Sequence, residues 1–325
     1  MHGVVAFPAV TRLSIHVYHG QAAHICERVR AAADVDREVI ALTDRDQLRA
    51  AIADVQVVFA PMPPRDGWAD AGNLRLIQLM GAGVDQLLPS PDLADHVEVA
   101  GVRGVFAPEV AEHAVGMMVA LCRRVPELLE LQKQHVFDQR STQALHGKNV
   151  VVLGLGEIGR RIARVATALE MQVIGVSRRG QPCADVHEVL PVEQLASALP
   201  RADYLVVAVP HTAQTDQLID GNALSLLPPG AFVVNVARGG IVDEAALCGA
   251  LASGGLAGAA LDVFEEEPLP NTSSLWDTPN LIITPHMAGY GRDYTGRCIA
   301  VLLDNVRRLE QQTPRRCLVS RALGY

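Results

Sequence analysis

Asn149-Val150-Val151-Val152-Leu153-Gly154-Leu155-Gly156-Glu157-Ile158-Gly159 is the stretch that decides the fold. Residues 149–153 form an unbroken apolar run, the pattern of a parallel strand buried on both faces. The turn that follows has glycine at the first, third and sixth places and opens a helical pattern over 156–169. The first glycine permits a tight turn. The second lets backbone N–H groups approach a pyrophosphate, and the third lets helix pack on strand. The helix dipole favours the negative charge. A glycine loop alone is a weak signal; between a buried strand and a helix it predicts a dinucleotide site, with Gly154, Leu155, Gly156, Glu157, Ile158 and Gly159 along the phosphates.

The next strand pattern, 172–177, ends at Ser177, followed by Arg178 and Arg179. A site for NAD places Asp or Glu at this tip for the ribose hydroxyls. A hydroxyl and two guanidiniums instead suit a 2′-phosphate through charge-assisted hydrogen bonds. The expected cofactor is NADP, with NAD as the lesser alternative.

Strand and helix patterns alternate on both sides of this unit. Downstream, strands are expected at 203–209, 232–236, 258–263 and 281–284, with helices at 192–199, 221–227 and 243–253. Upstream, strands at 12–18, 38–42, 55–60, 74–80 and 98–102 alternate with helices at 21–33 and 46–53. A long helical pattern over 108–131 should kink or split at Pro126, and a last helix spans 290–310. Alternation of this kind predicts an α/β protein with two doubly wound parallel sheets. The dinucleotide-binding domain, 104–289, is inserted into a substrate domain made of 1–103 and 290–325.

With 325 residues, 49% of them hydrophobic and 20% charged, the chain can bury two cores. A net charge of −8 argues against nucleic acid as a partner. No apolar run reaches about 18 residues, so no membrane partner is expected. The apolar start, 1–10, lacks a basic flank and reads as no secretory signal, which leaves a cytoplasmic protein. Six scattered cysteines make neither a disulfide framework nor a thiolate metal site, and the second histidine that His187-Glu188 would need for zinc is replaced by Pro191. No metal is expected.

Three further segments stand out: 234–243 with Arg238-Gly239-Gly240, 260–268 with Glu265-Glu266-Glu267-Pro268, and 284–289 with Thr284-Pro285-His286. Together with the glycine loop, Gly81-Ala82-Gly83-Val84-Asp85 and Val110-Ala111-Glu112-His113, they resemble the D-isomer-specific 2-hydroxyacid dehydrogenase family, in particular its glyoxylate/hydroxypyruvate reductases. The resemblance runs over nearly the whole chain, and the order of the three segments is its specific part. It implies a Rossmann domain inserted into a flavodoxin-like substrate domain, a homodimer through the nucleotide domain, and hydride transfer between NADPH and a small 2-oxo acid. The family's catalytic arginine, glutamate and histidine fall on Arg238, Glu267 and His286.

The chemistry accounts for these residue types. Reducing a 2-oxo acid needs a cation for the carboxylate and a proton donor for the developing alkoxide. Arg238 follows a buried strand and offers a planar fork to a carboxylate. His286 is the expected donor, its imidazolium favoured by pairing with Glu267. Taken singly, such an arginine is a surface residue, such a glutamate is solvated, and a histidine beside proline packs a loop. The ends of successive strands in one domain are what bring chemistry to the set.

The resemblance also implies that Gly81, Ala82 and Gly83 grip the substrate carboxylate together with Arg238 and His286. Val209, Pro210, His211, Thr215, Val236, Ala237, Asp262 and Gly289 lie along the cofactor. Asp262 has the simpler alternative of capping a turn. Glu112 and His113 read as structural, joining the domains. Glu170 stands where the family commonly has glycine after the first Rossmann helix, which should alter that turn. Two rival functions keep a place: a nucleotide-sensing, corepressor-like binding protein of the same fold, and a methyltransferase using S-adenosylmethionine, which leaves Arg238, Glu267 and His286 unexplained.

Overall fold

The computed structural model describes residues 12–321 and 324–325; the amino-terminal stretch read for a secretory signal lies outside them. The chain divides into two compact units, one of residues up to Val105 and from Arg292 onward, the other Phe106–Gly291.

In the first unit the strands are β1 (Ile15–Tyr18), β2 (Val39–Leu42), β3 (Val57–Ala60), β4 (Leu76–Leu79) and β5 (Glu98–Ala100). They pair in the order β2-β1-β3-β4-β5, all parallel. This is the flavodoxin-like order. Helices α1 (Ala22–Ala32) and α2 (Arg45–Ala51) link the early strands. Strands β3 and β4 are buried at every residue, as their apolar runs require.

The second unit opens with α3 (Ala107–Cys122) and α4 (Val125–Lys133). The expected long helix is split into two, and the break falls ahead of Pro126. Arg124 adopts a left-handed conformation (φ 56°), and Pro126 sits in the first turn of α4, where its missing N–H is no loss. Then come β6 (Asn149–Leu153), α5 (Glu157–Ala168), β7 (Gln172–Ser177), β8 (Glu188–Pro191), α6 (Leu195–Ala198), β9 (Tyr204–Val207), α7 (Gly221–Ser225), β10 (Phe232–Asn235), α8 (Glu244–Ala252), β11 (Gly258–Leu261) and β12 (Leu281–Ile283). The first unit reclaims the chain with α9 (Tyr294–Glu310), which begins later than expected, after Asp293 caps it through Gly296 N–H.

The sheet order β12-β11-β10-β9-β6-β7-β8, all parallel, is that of a Rossmann domain with one more strand on its edge. Strand β8 went unread because it is a short edge strand, only half-buried and ending in proline. Alternate residues enter opposite cores. Val151, Leu153, Leu205, Val207 and Val233 face α7 and α8, whereas Val150, Val152, Val206 and Val234 face α3 and α5. Glu170 takes the left-handed conformation itself (φ 59°), at a cost of about 1–2 kcal/mol, with its carbonyl accepting from Gly147 N–H. Among the described residues no helix is long and apolar enough to cross a membrane.

Candidate active site

Strands β10, β11 and β12 are neighbours, and the segments leaving their carboxyl ends carry Arg238, Glu267 and His286. Parallel pairing brings three residues far apart in sequence to one edge of the sheet, where doubly wound folds bind ligands. His286 Nδ1 lies 2.6 Å from Glu267 Oε2, and the two side chains are 41% and 31% exposed. The second oxygen of Glu267 accepts from Phe264 N–H at 2.9 Å. Burial pushes the Glu267 carboxyl up, but the hydrogen bonds from His286 and Phe264 N–H, with the charges of His286 and Arg238, outweigh it and hold it below the usual carboxylate range.

Each member is held by its backbone. Asn235, fully buried, donates to Arg238 C=O at 2.9 Å and accepts from Ala237 N–H at 3.0 Å, which closes the turn after β10. Gly239 then passes so close to the Phe264–Glu265 peptide that a Cβ there would overlap it. Glycine is required for this approach, and it brings the Arg238 turn against the segment holding Glu267. The Arg238 guanidinium also donates to Ala237 C=O at 2.7 Å. His286 has a left-handed backbone (φ 49°), strained for a residue with a Cβ, and its N–H donates to Asp262 C=O at 2.7 Å.

Asp262, expected along the cofactor, is 3% exposed and has both oxygens committed to the turn that carries His286. Oδ1 accepts from the Thr284 hydroxyl at 2.6 Å and Met287 N–H at 2.9 Å; Oδ2 accepts from Ala288 N–H at 2.9 Å. Capping the turn is the role this geometry displays. His113 joins the same cluster, with Nε2 3.0 Å from Thr284 Oγ1 and 3.7 Å from Asp262 Oδ1. Both of these partners lie in its own unit. Sequence singled out His113, but only folding supplies its partner, 171 positions away.

At the glycine loop, Gly154 (φ +101°) leaves no room for a side chain; a Cβ would lie 2.5 Å from Ala208 O at the end of β9. Gly159 packs directly on the Gly154 carbonyl, whereas Gly156, the N-cap of α5, faces open space. The crevice thus lies at the β6/β9 switch point and fits a pyrophosphate against the start of α5. Leu155 lies over Gly175 and Ile158 packs on the core, both half-buried. Glu157 is exposed in the first turn of α5. Ser177 ends β7, with Arg178 and Arg179 exposed beyond it.

Val236 and Ala237 are buried in the two cores. Thr215 spends its hydroxyl on Pro210 C=O at 2.7 Å, and His211 pairs with Asp216 at 2.8 Å. Val209 packs against the core and lies beside Gly154, while a Cβ added at Gly289 would lie at ordinary contact distance from Phe106 and Val110. Gly81, Ala82 and Gly83 belong to the other unit. There Met80 C=O accepts from Tyr294 Oη at 2.6 Å, and Gly81 C=O accepts from Val102 N–H at 3.1 Å.

Residues 115–288 match the family model described as D-isomer specific 2-hydroxyacid dehydrogenase, NAD binding domain. The chain is 34% identical to an (S)-sulfolactate dehydrogenase of Chromohalobacter salexigens, covering 86% of this chain and 94% of that one. It is 31% identical to a D-3-phosphoglycerate dehydrogenase of Mycobacterium tuberculosis over 81% of its length, yet spans about half (51%) of that longer protein. Among solved structures it is similar to an NADPH-dependent glyoxylate/hydroxypyruvate reductase from Sinorhizobium meliloti, in complex with NADP and sulfate. That match has a TM-score of 0.87 and 28% identity, covering 97% of this chain and all of that one.

Proposed function

The chain belongs to the D-isomer-specific 2-hydroxyacid dehydrogenase family, and on that premise we propose that it is an NADPH-preferring reductase of small 2-oxo acids, glyoxylate or hydroxypyruvate among them. The observation that carries the reading is the 2.6 Å pair between His286 Nδ1 and Glu267, set beside Arg238 on adjacent strand ends. Similarity to an NADPH-dependent reductase solved with NADP supports the choice of nucleotide, as do Ser177, Arg178 and Arg179 at the tip of β7, where a carboxylate would repel a 2′-phosphate.

The glycine loop and the start of α5 would hold the pyrophosphate, and NADPH bound there supplies the hydride. Arg238 holds the substrate carboxylate and draws electron density toward the neighbouring carbonyl oxygen. Gly81, Ala82 and Gly83 are proposed to bind substrate through their backbone N–H groups. Glu267 fixes the orientation of the imidazole through Nδ1, so the proton passes from Nε2 to the developing alkoxide. In the oxidative direction the same nitrogen takes it back. Residues 1–103 and 290–325 form the substrate domain in this proposal, and residues 104–289 the dinucleotide domain.

A homodimer through the nucleotide unit is part of the proposal, supported by the apolar surface of Leu129, Val136 and Phe137, the last 96% exposed. Sedimentation as a species of twice the 34.8 kDa chain mass would test it. Six unpaired cysteines support placement in the cytoplasm. Nucleotide oxidation across a panel of 2-oxo acids, with NADPH and NADH in parallel, tests the function. The reductase reading requires turnover, faster with NADPH. Tight nucleotide binding without turnover of any acid would favour the corepressor-like alternative.

A further inference from the structure

We propose that Glu244 is a positioning residue for the Glu267–His286 pair, acting through the backbone of Phe264 and Glu265. The inference rests on the reductase reading. Glu244 opens α8, immediately after Asp243 caps that helix by accepting from Ala246 N–H. Its Oε1 accepts from Glu265 N–H at 2.7 Å, while the preceding N–H, that of Phe264, donates to Glu267 Oε1 at 2.9 Å. Two carboxylates are therefore bound by successive backbone N–H groups. The same segment is packed against Gly239, where a Cβ would have no room against the Phe264 carbonyl.

This arrangement gives Glu244 two effects. It orients the segment that presents Glu267, and it sets a second negative charge close to that carboxylate. Burial pushes the Glu244 carboxyl up and the charges of Glu265 and Glu267 add to this, against the hydrogen bond from Glu265 N–H. Arg238 and His286 are the cationic groups acting on Glu267.

Glu244→Gln keeps an acceptor for Glu265 N–H and removes the charge; Glu244→Ala removes both. Glu244→Ala should lower kcat about tenfold with KM for nucleotide and 2-oxo acid near wild type, since only alignment is lost. Glu244→Gln should recover most of kcat. Exchange of the Phe264 and Glu265 amide protons, followed by NMR, should quicken in Glu244→Ala and return toward wild type in Glu244→Gln. Wild-type kcat in Glu244→Ala, or unchanged exchange at both amides, would overturn the proposal. If the wild-type protein reduces no 2-oxo acid, the reductase reading falls while the exchange comparison still decides the role of Glu244.

Discussion

Replacing Asp262 by asparagine should loosen the turn that carries His286 while leaving the fold intact. Its carboxylate receives three hydrogen bonds, two on Oδ1 from Thr284 Oγ1 and Met287 N–H and one on Oδ2 from Ala288 N–H. Asparagine presents one oxygen and one NH2, so in either orientation at least one of these donors faces another donor. A buried donor left without an acceptor costs about 1–3 kcal/mol. For a unit of this size that corresponds to a fall of roughly 2–4 °C in melting temperature per kcal/mol, hence about 4–8 °C for Asp262→Asn near the middle of the range. Asp262→Ala strands all three donors and should cost roughly 3–9 kcal/mol. The bond from His286 N–H to Asp262 C=O survives in both variants, so the loop is displaced rather than released. A displacement of about 1 Å at the proton donor lowers kcat on the order of 10²-fold. Thermal unfolding followed by circular dichroism, with kcat at saturating nucleotide, measures both effects. Because Thr284→Val removes a bond shared with Asp262, the double variant should lose less than the sum of the single losses. Wild-type melting and wild-type kcat in Asp262→Asn would refute the anchoring role.

His286→Ala should lower turnover by about 10²–10⁴-fold while sparing nucleotide binding; near-normal turnover would remove the histidine from the mechanism. Ser177→Asp combined with Arg178→Ala should move the ratio of kcat/KM values from NADPH toward NADH, and an unchanged ratio would mean that the tip of β7 does not read the 2′-phosphate. The Glu267 carboxyl is held below its ordinary range in the folded protein. Its contribution to stability is therefore present above the unfolded value of about 4.3 and is lost as pH falls through the folded value. Urea midpoints measured between neutral pH and pH 3 should fall less steeply for Glu267→Gln than for wild type, and parallel curves would contradict this.

The sequence reached the fold because the signals that specify it are local. A run such as 149–153 is apolar at every place because both faces of its strand are covered, and glycine is forced at 154 and 159 by close backbone approach. Where the local signal weakened, so did the reading. The half-buried edge strand β8 carries no apolar run, and the break before α4 depends on a left-handed arginine that no residue preference announces.

Residue types and their order were enough to single out Arg238, Glu267 and His286, since each follows a strand pattern and together they supply a cation, a carboxylate and a proton donor. That Glu267 meets His286 through Nδ1, that Asp262 spends its carboxylate holding the neighbouring turn, and that His113 and Glu244 stand behind this group were decided by the tertiary structure alone. The physical reason is distance along the chain. A hydrogen bond between residues 21 or 171 positions apart leaves no periodicity in the sequence, and it exists only once parallel strand pairing has brought the loops of separate strands to the same edge.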